Sequence, residues 1–156
     1  MKFQLALALS HNADLIILDE PTSGLDPVFR RELLEIFSGL IQDEKKAILF
    51  STHITSDLER ISDFVTFIKD GSIVFSEKKD AVLESWGMVK GGRELLSPEV
   101  ESLFYGIRRH EYGFEALAPD IKKIKQKLGK ASIAIEKPTL EDIMFFMASS
   151  NGGGDV

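Results

Sequence analysis

One stretch of the sequence, residues 15–27, limits the possible folds more than any other, and it reads LIILDEPTSGLDP. Its four successive branched apolar residues are too few for a helix and are bounded by turn formers, so they predict a strand buried on both faces. Asp19 and Glu20 follow at the C-terminal end of this strand. In open parallel α/β sheets, loops and helix N-termini converge at that edge and ligands bind there. The stretch therefore predicts an α/β fold with two carboxylates at a ligand-binding edge.

The same run resembles the Walker B motif and the adjoining D-loop of ABC-type ATPases, the ATP-binding subunits of ABC transporters. The likeness is unbroken from LIILDE through PTSGLDP. A buried strand ending in a solvated acidic turn is the ordinary alternative, and the length of the matching run weighs against it. The resemblance implies an α/β fold class, a partial P-loop NTPase of the ABC type with a parallel sheet. Residue patterns later in the chain predict an antiparallel hairpin edge and a small α+β C-terminal appendage.

The segments that follow predict a βαβ unit. Asp26 and Pro27 suit the N-cap and the first position of a helix. Apolar residues then recur at helical spacing, at Phe29, Leu33, Ile36, Phe37 and Leu40. Residues 47–51, AILFS, form a second short apolar run. Because such crossovers are right-handed and join parallel neighbours, the second strand should end beside the first.

His53 comes just after this second strand and is therefore expected at the same sheet edge as Asp19 and Glu20. A lone histidine is more often a surface or core residue, but a position beside two carboxylates favours a functional role. The family resemblance identifies His53 as the H-loop, or switch, histidine. His11 and His110 have no such setting and are expected to be ordinary histidines.

The resemblance also implies a role for each residue at this edge. Asp19 would hold Mg²⁺ through water, since this ion prefers oxygen ligands and takes only one or two protein carboxylates. Glu20 would be the general base that polarises the water attacking ATP, and His53 would donate a hydrogen bond to the γ-phosphate. The D-loop residues are expected to bind nucleotide and, in the family, cross to a second subunit; they are Ser23, Gly24, Leu25 and Asp26.

A phosphate loop of the form G-x-x-x-x-G-K-[ST] does not occur in these 156 residues. The nearest Gly-Lys pair is Gly129-Lys130, but Ala131 follows where Ser or Thr is needed and Ile124 occupies the first glycine position. The resemblance therefore implies an ABC ATPase subunit that begins just after the signature motif, and we expect the isolated chain to be inactive. The alternative is a non-catalytic fragment, either an interaction or regulatory module or a gene remnant.

The second half of the sequence changes character. Two apolar runs around a KDGS turn predict a hairpin. The resemblance implies that this hairpin closes the ATPase part, which we place at residues 1–86. Residues 87–148 are expected to form the α+β accessory region, and residues 149–156, with three glycines, a flexible tail. Residues 137–143, KPTLEDI, resemble the segment that ends many export-type ABC ATPases.

Four helices in the chain carry N-terminal signals. Ser56 and Glu59 form the pattern of a capping box. Ser97 and Thr139 each precede a helical pattern as an N-cap, and Pro119-Asp120 opens another helix. These signals predict short helices alternating with strands in the second half.

Composition limits the classes of partner. The 25 acidic and 19 basic residues give a net charge of -6, which argues against a nucleic-acid surface. Cysteine is absent, which excludes disulfides and thiolate metal sites within these residues. The longest apolar run, residues 143–148, is far shorter than the roughly 18 residues that cross a bilayer. The resemblance implies a second ATP-binding subunit and membrane-spanning permease subunits as partners, and a cytoplasmic location, peripheral on the inner face of the cell membrane.

Two clusters near the C-terminus have ordinary explanations. A lysine-rich stretch predicts a solvated helix face rather than a site for an anionic partner, and its members are Lys122, Lys123, Lys125, Lys127 and Lys130. Phe145, Phe146 and Met147 are expected to be core or subunit-contact residues rather than a cofactor site.

Overall fold

The computed structural model describes residues 2–129 and 132–149. The chain divides into two compact units, Met1–Ser62 and Asp63–Val156, which are described separately. The boundary that the sequence places after residue 86, between an ATPase part and an accessory region, stays a prediction. The flexible tail predicted for residues 149–156 falls outside the described residues, apart from Ser149.

The first unit alternates helices and strands. Its elements are α1 (Lys2–Ser10), β1 (Leu15–Asp19), α2 (Pro27–Leu40), β2 (Ala47–Ser51) and α3 (Thr55–Ile61). The two strands are parallel neighbours, paired from Leu15 with Ala47 to Asp19 with Ser51. The predicted βαβ unit is therefore confirmed, and both strands end at the same edge of the sheet.

The core of the first unit lies between the sheet and two helices. Its buried members are Leu5, Leu33, Leu34 and Phe37, and its partly buried members include Leu9, Leu18, Leu25, Ile48 and Ile61. Since side chains alternate between the faces of a strand, Leu18 and Ile48 place this core on one face. The predicted helical stripe of α2 is wrong at Ile36, which is 47% exposed.

The prediction that β1 is buried on both faces is wrong. Ile16 is buried, whereas Leu15 and Ile17 are 54% and 68% exposed, and Leu49 of β2 is 61% exposed. The reason is that α1 and α2 pack on the face that carries Leu18 and Ile48. A run of four apolar residues indicates a strand, but it does not determine whether one face or two are covered.

The second unit contains two antiparallel sheets. Its strands are β3 (Phe64–Lys69), β4 (Ser72–Lys78), β5 (Gly87–Gly91), β6 (Gly106–His110), β7 (Gly113–Ala118) and β8 (Ile133–Glu136). Its α-helices are α4 (Lys79–Ser85), α5 (Pro98–Glu101), α6 (Ile121–Leu128) and α7 (Leu140–Ser149), with a 3₁₀ turn at Arg93–Leu95. The predicted hairpin is confirmed: β3 and β4 form a two-stranded sheet, and Asp70 and Gly71 have φ of 50° and 75° in its turn.

The other four strands form one sheet in the order β6-β7-β5-β8. The strand β5, which lies in its middle, was not predicted from the sequence; it begins at Gly87 and ends at Gly91. In the structure these glycines give room for neighbours. A Cβ on Gly87 would lie 2.7 Å from Cγ1 of Ile121, and one on Gly91 would lie 3.0 Å from the ring of Phe114.

Helix starts in the second unit follow the predicted caps. The side chain of Ser97 accepts a hydrogen bond from the Val100 amide, and Asp120 accepts from the amides of two lysines. Thr139 Oγ1 accepts from the Asp142 amide at 3.0 Å, while the Asp142 carboxylate accepts from the Thr139 amide at 2.9 Å. These caps confirm the predicted starts of α5, α6 and α7.

The two C-terminal clusters follow the prediction in part, since Phe145 is 45% exposed and its place in a subunit contact stays a prediction. The lysines of α6 are exposed while Ile124 and Leu128 are buried, so the basic stretch is a solvated helix face; Lys130 lies outside the described residues. Phe146 and Met147 belong to the core of the unit. Over residues 2–129 and 132–149, no helix is long and apolar enough to cross a membrane.

Candidate active site at the strand ends

The ends of β1 and β2 bring the predicted site residues together. Ser51 Oγ donates a hydrogen bond to Asp19 Oδ1. The Glu20 amide donates to the Ser51 carbonyl at 3.1 Å and contacts Ser51 Oγ at 3.2 Å. These bonds extend the strand pairing by one residue, and they fix where the chain leaves β1.

Glu20 and His53 are in direct contact across this edge. The Nδ1 atom of His53 lies 2.9 Å from Glu20 Oε1, and the His53 amide donates to the same oxygen at 3.2 Å. Because an ionised carboxylate only accepts, Nδ1 carries the proton in this bond. His53 thus lies at the expected sheet edge and contacts Glu20, while the Asp19 carboxylate is bonded to Ser51. The chemical roles of the three residues stay predictions.

The second carboxylate oxygen of Glu20, Oε2, has different surroundings. Oε2 is buried and has no hydrogen-bond partner within the described part of the chain. A buried carboxylate oxygen without a partner is costly, and in native structures it usually indicates a functional site or a missing ligand. Glu20 therefore has one oxygen held by His53 and one left for another group.

The backbone at Glu20 is strained. Its φ of 47° lies in the left-handed region, which residues other than glycine rarely adopt. A tight turn follows, in which the Ser23 amide donates to the Glu20 carbonyl at 3.2 Å and the Leu25 amide donates to the Thr22 carbonyl at 3.3 Å. Gly24, with φ of 68°, continues this turn. Strain of this kind is found most often at functional sites, where the surroundings hold it in place.

The predicted D-loop residues differ in their surroundings. Asp26 caps α2, its Oδ1 accepting from the Phe29 amide at 3.0 Å, as predicted. Leu25 packs against the core of the first unit. Ser23 is half-buried and Gly24 is exposed. Leu25 and Asp26 therefore have structural contacts of their own, while Ser23 and Gly24 lie at the tip of the loop.

A buried polar network lies next to this loop and was not predicted from the sequence. Thr22 and Asp57 are each 1% exposed, and Thr22 Oγ1 donates to Asp57 Oδ2 at 2.6 Å. Arg30 donates to Asp57 Oδ1 from Nε at 2.8 Å and from Nη2 at 2.6 Å. Such charge-assisted bonds are the stronger class in proteins. These bonds join the loop after β1 to the first turn of α2 and to the first turn of α3.

This network also explains why the predicted capping box is wrong. The helix α3 begins at Thr55 after Ile54, which makes no side-chain cap. Ser56 Oγ instead accepts from Nη2 of Arg30 at 2.8 Å. The pattern of Ser56 and Glu59 fits a cap locally, but an arginine from another helix takes the serine hydroxyl.

The donor groups at the edge fit a water-rich Mg²⁺ site. Asp19 is exposed at the strand end, where a hydrated ion can reach its carboxylate. Mg²⁺ usually keeps several waters and takes one or two carboxylates besides the phosphates of its substrate. The described residues contain no group of three or more His, Cys, Asp or Glu side chains able to hold a metal.

Comparison with known proteins now adds to this geometry. Residues 2–56 match the family model described as AAA domain, putative AbiEii toxin, Type IV TA system. The chain is 42% identical over 82 residues to the lantibiotic transport ATP-binding protein SrtF of Streptococcus pyogenes, which covers 51% of this chain and 35% of that protein. It is homologous to ABC transporter ATP-binding subunits.

A second relative agrees with the first. The chain is 40% identical over 73 residues to the energy-coupling factor transporter ATP-binding protein EcfA2 of Staphylococcus aureus, over 47% of this chain and 26% of that protein. The chain thus matches about a third or less of each relative's length. The α/β structure and the AAA-type match over residues 2–56 are consistent with part of a P-loop NTPase fold.

Proposed function

We propose that the chain is the ATP-binding and ATP-hydrolysing subunit of an ABC transporter, and that it couples hydrolysis to export across a membrane. The observation that carries the proposal is the contact between Glu20 and His53, beside Asp19, at the ends of two parallel strands. Homology to ATP-binding subunits supports it.

Glu20 is the general base in this proposal. Its Oε1 is held by two bonds from His53, which leaves Oε2, buried and without a partner among the described residues, as the oxygen that would take the proton of an attacking water. The Nδ1 atom of His53 is engaged by Glu20, which leaves Nε2 as the ring nitrogen that would contact a phosphate. The two residues thus act as one unit that positions the water and senses the phosphate.

Asp19 holds the metal in this proposal, through water, while Ser51 fixes one of its oxygens. When bound, Mg²⁺ neutralises charge on the phosphates of ATP. The D-loop residues Ser23, Gly24, Leu25 and Asp26 complete the nucleotide site and contact a second ATP-binding subunit. Membrane-spanning permease subunits hold the protein at the inner face of the cell membrane.

The decisive test is Glu20→Gln in the purified transporter that contains this polypeptide. Gln keeps the shape and loses the base, so turnover should fall by about 10² to 10⁴-fold while ATP stays bound. Glu35→Gln is the matched control, because Glu35 is an exposed glutamate that pairs only at the surface with Arg31 and Arg60. Turnover within twofold of wild type in Glu20→Gln would contradict the proposal.

We propose further that residues 1–156 alone bind ATP weakly. No phosphate-loop sequence occurs in these residues, and such a loop supplies the backbone amides and lysine that hold the β- and γ-phosphates. Calorimetric titration with Mg-ATP should show no micromolar binding. A micromolar dissociation constant would show that other residues of this chain replace the loop.

Export rests on two supports of its own. Residues 137–143 resemble the end of export-type ATPases, and one relative is named for lantibiotic transport. Membrane-spanning subunits should therefore co-purify with the chain after detergent extraction. A labelled lantibiotic peptide should enter inside-out vesicles in an ATP-dependent manner, whereas uptake confined to right-side-out vesicles would overturn the direction.

A further inference from the structure

The loops that carry Glu20 and His53 are joined at two levels. At the surface the two side chains touch each other, and His53 is 68% exposed. Beneath them, Thr22 and Asp57 form a bond that is closed to solvent. Thr22 follows Glu20 by two residues, and Asp57 follows His53 by four. The buried bond therefore spans the same two segments as the surface contact.

The buried bonds of Asp57 hold the two segments together more strongly than the exposed contact between Glu20 and His53. Exposed ion pairs are screened by water and contribute little to holding two segments together. The Asp57 carboxylate, by contrast, is excluded from water, and its two oxygens accept from Thr22 and from the fork of Arg30. Breaking such a buried charged group away from its partners is strongly unfavourable. The relative position of the two loops is therefore set by Asp57 and its partners.

We propose that Thr22, Arg30 and Asp57 are positioning residues for the Glu20–His53 pair. They hold the loop after β1 against the start of α3, so that Glu20 Oε1 stays within reach of His53 and Oε2 stays directed away from it. The inference rests on the proposed function, since it assigns these residues to the same reaction. None of the three contacts the reacting atoms in this assignment.

The matched pair Thr22→Val and Thr22→Ser tests the proposal. Val keeps the shape and loses the hydroxyl, whereas Ser keeps the hydroxyl that donates to Asp57. In the purified transporter, Thr22→Val should lower kcat by about 10- to 100-fold, since misplacement by about 1 Å costs up to that much. The KM for ATP should change less than twofold. Thr22→Ser should restore kcat to within about threefold of wild type.

Amide hydrogen exchange separates positioning from general loss of structure. In Thr22→Val, the His53 amide, which donates to Glu20, should exchange faster. The amides of β1 and β2 should keep their protection. Loss of protection across both strands would overturn the proposal, because it would assign Thr22 to overall stability.

Two further variants complete the design. Arg30→Lys keeps the charge but loses the fork, and should reproduce the kcat loss with an unchanged KM. Arg31→Gln, which removes an exposed pair on the same helix, should leave kcat unchanged. Wild-type kcat in both Thr22→Val and Arg30→Lys, with Glu20→Gln inactive, would overturn the positioning role alone. An active Glu20→Gln would instead overturn the proposed function.

Discussion

The left-handed backbone at Glu20 makes a quantitative prediction about stability. With φ of 47°, any residue with a Cβ is strained there, at about 1–2 kcal/mol relative to an ordinary conformation. Glycine relieves that strain but adds about 0.4–1 kcal/mol of unfolded-state entropy relative to alanine. Glu20→Gly should therefore be more stable than Glu20→Ala by about 1 kcal/mol, the difference between those two effects. Both variants lose the carboxylate, so the comparison isolates the backbone.

Ser23, three residues further on, supplies the control. It is not among the described non-glycine residues with positive φ, so alanine should be favoured over glycine there by about 0.4–1 kcal/mol. Urea denaturation of the four variants, monitored by circular dichroism, measures both differences. The order of Gly and Ala should reverse between the two positions. If Glu20→Ala is as stable as Glu20→Gly, the strained turn that positions the Glu20 carboxylate is absent in solution, and the predicted backbone strain is contradicted.

Three further predictions concern the rest of the fold. Phe37→Ala should cost about 3–5 kcal/mol in the free energy of unfolding, since Phe37 is fully buried, whereas Ile36→Ala should cost less than about 1 kcal/mol; chemical denaturation compares them. Gly113→Ala should be destabilising by about 1–3 kcal/mol, because its Cβ would lie 2.4 Å from the Gly91 carbonyl oxygen, and thermal unfolding measures this. Hydrogen bonds from the backbone amides of Lys123 and Lys122 lower the pKa of Asp120 below 3.8. The ionised carboxylate therefore stabilises the folded state above that pH, and this contribution is lost as the pH falls through the lower folded-state pKa. Asp120→Ala should accordingly be less stable than wild type at neutral pH, and the difference should vanish in strong acid.

Local patterns were enough to predict the parts of the site that lie at strand ends. The apolar runs of β1 and β2 fix both strands, and parallel pairing then brings Asp19, Glu20 and His53 to one edge. The cap at Asp26 is also a local signal, because donor and acceptor lie three residues apart. In each case the information lies within a few residues of the element that it defines.

The buried network could not be predicted in the same way. Thr22 bonds a residue 35 positions away, and Arg30 bonds one 27 positions away. Polar residues in loops and first helical turns have no periodicity that would pair them. Ser56 shows the consequence, since its local pattern indicated a cap while its hydroxyl accepts from Arg30. Tertiary contacts overrode local preference there.

The energetic cost of the strained turn at Glu20 can be compared with the stabilisation that the surrounding hydrogen bonds supply. The left-handed turn costs about 1–2 kcal/mol, whereas an exposed pair such as Glu20 with His53 contributes only about 0–1 kcal/mol of stability. That pair cannot hold the turn by itself. Hydrogen bonds to charged groups contribute about 1.5–3 kcal/mol, and Asp57 accepts them from Thr22 and Arg30. Removing a partner from a buried charged group costs about 3–5 kcal/mol, which is more than the strain, so we expect the position of the Glu20 carboxylate to depend on Thr22, two residues later in the chain.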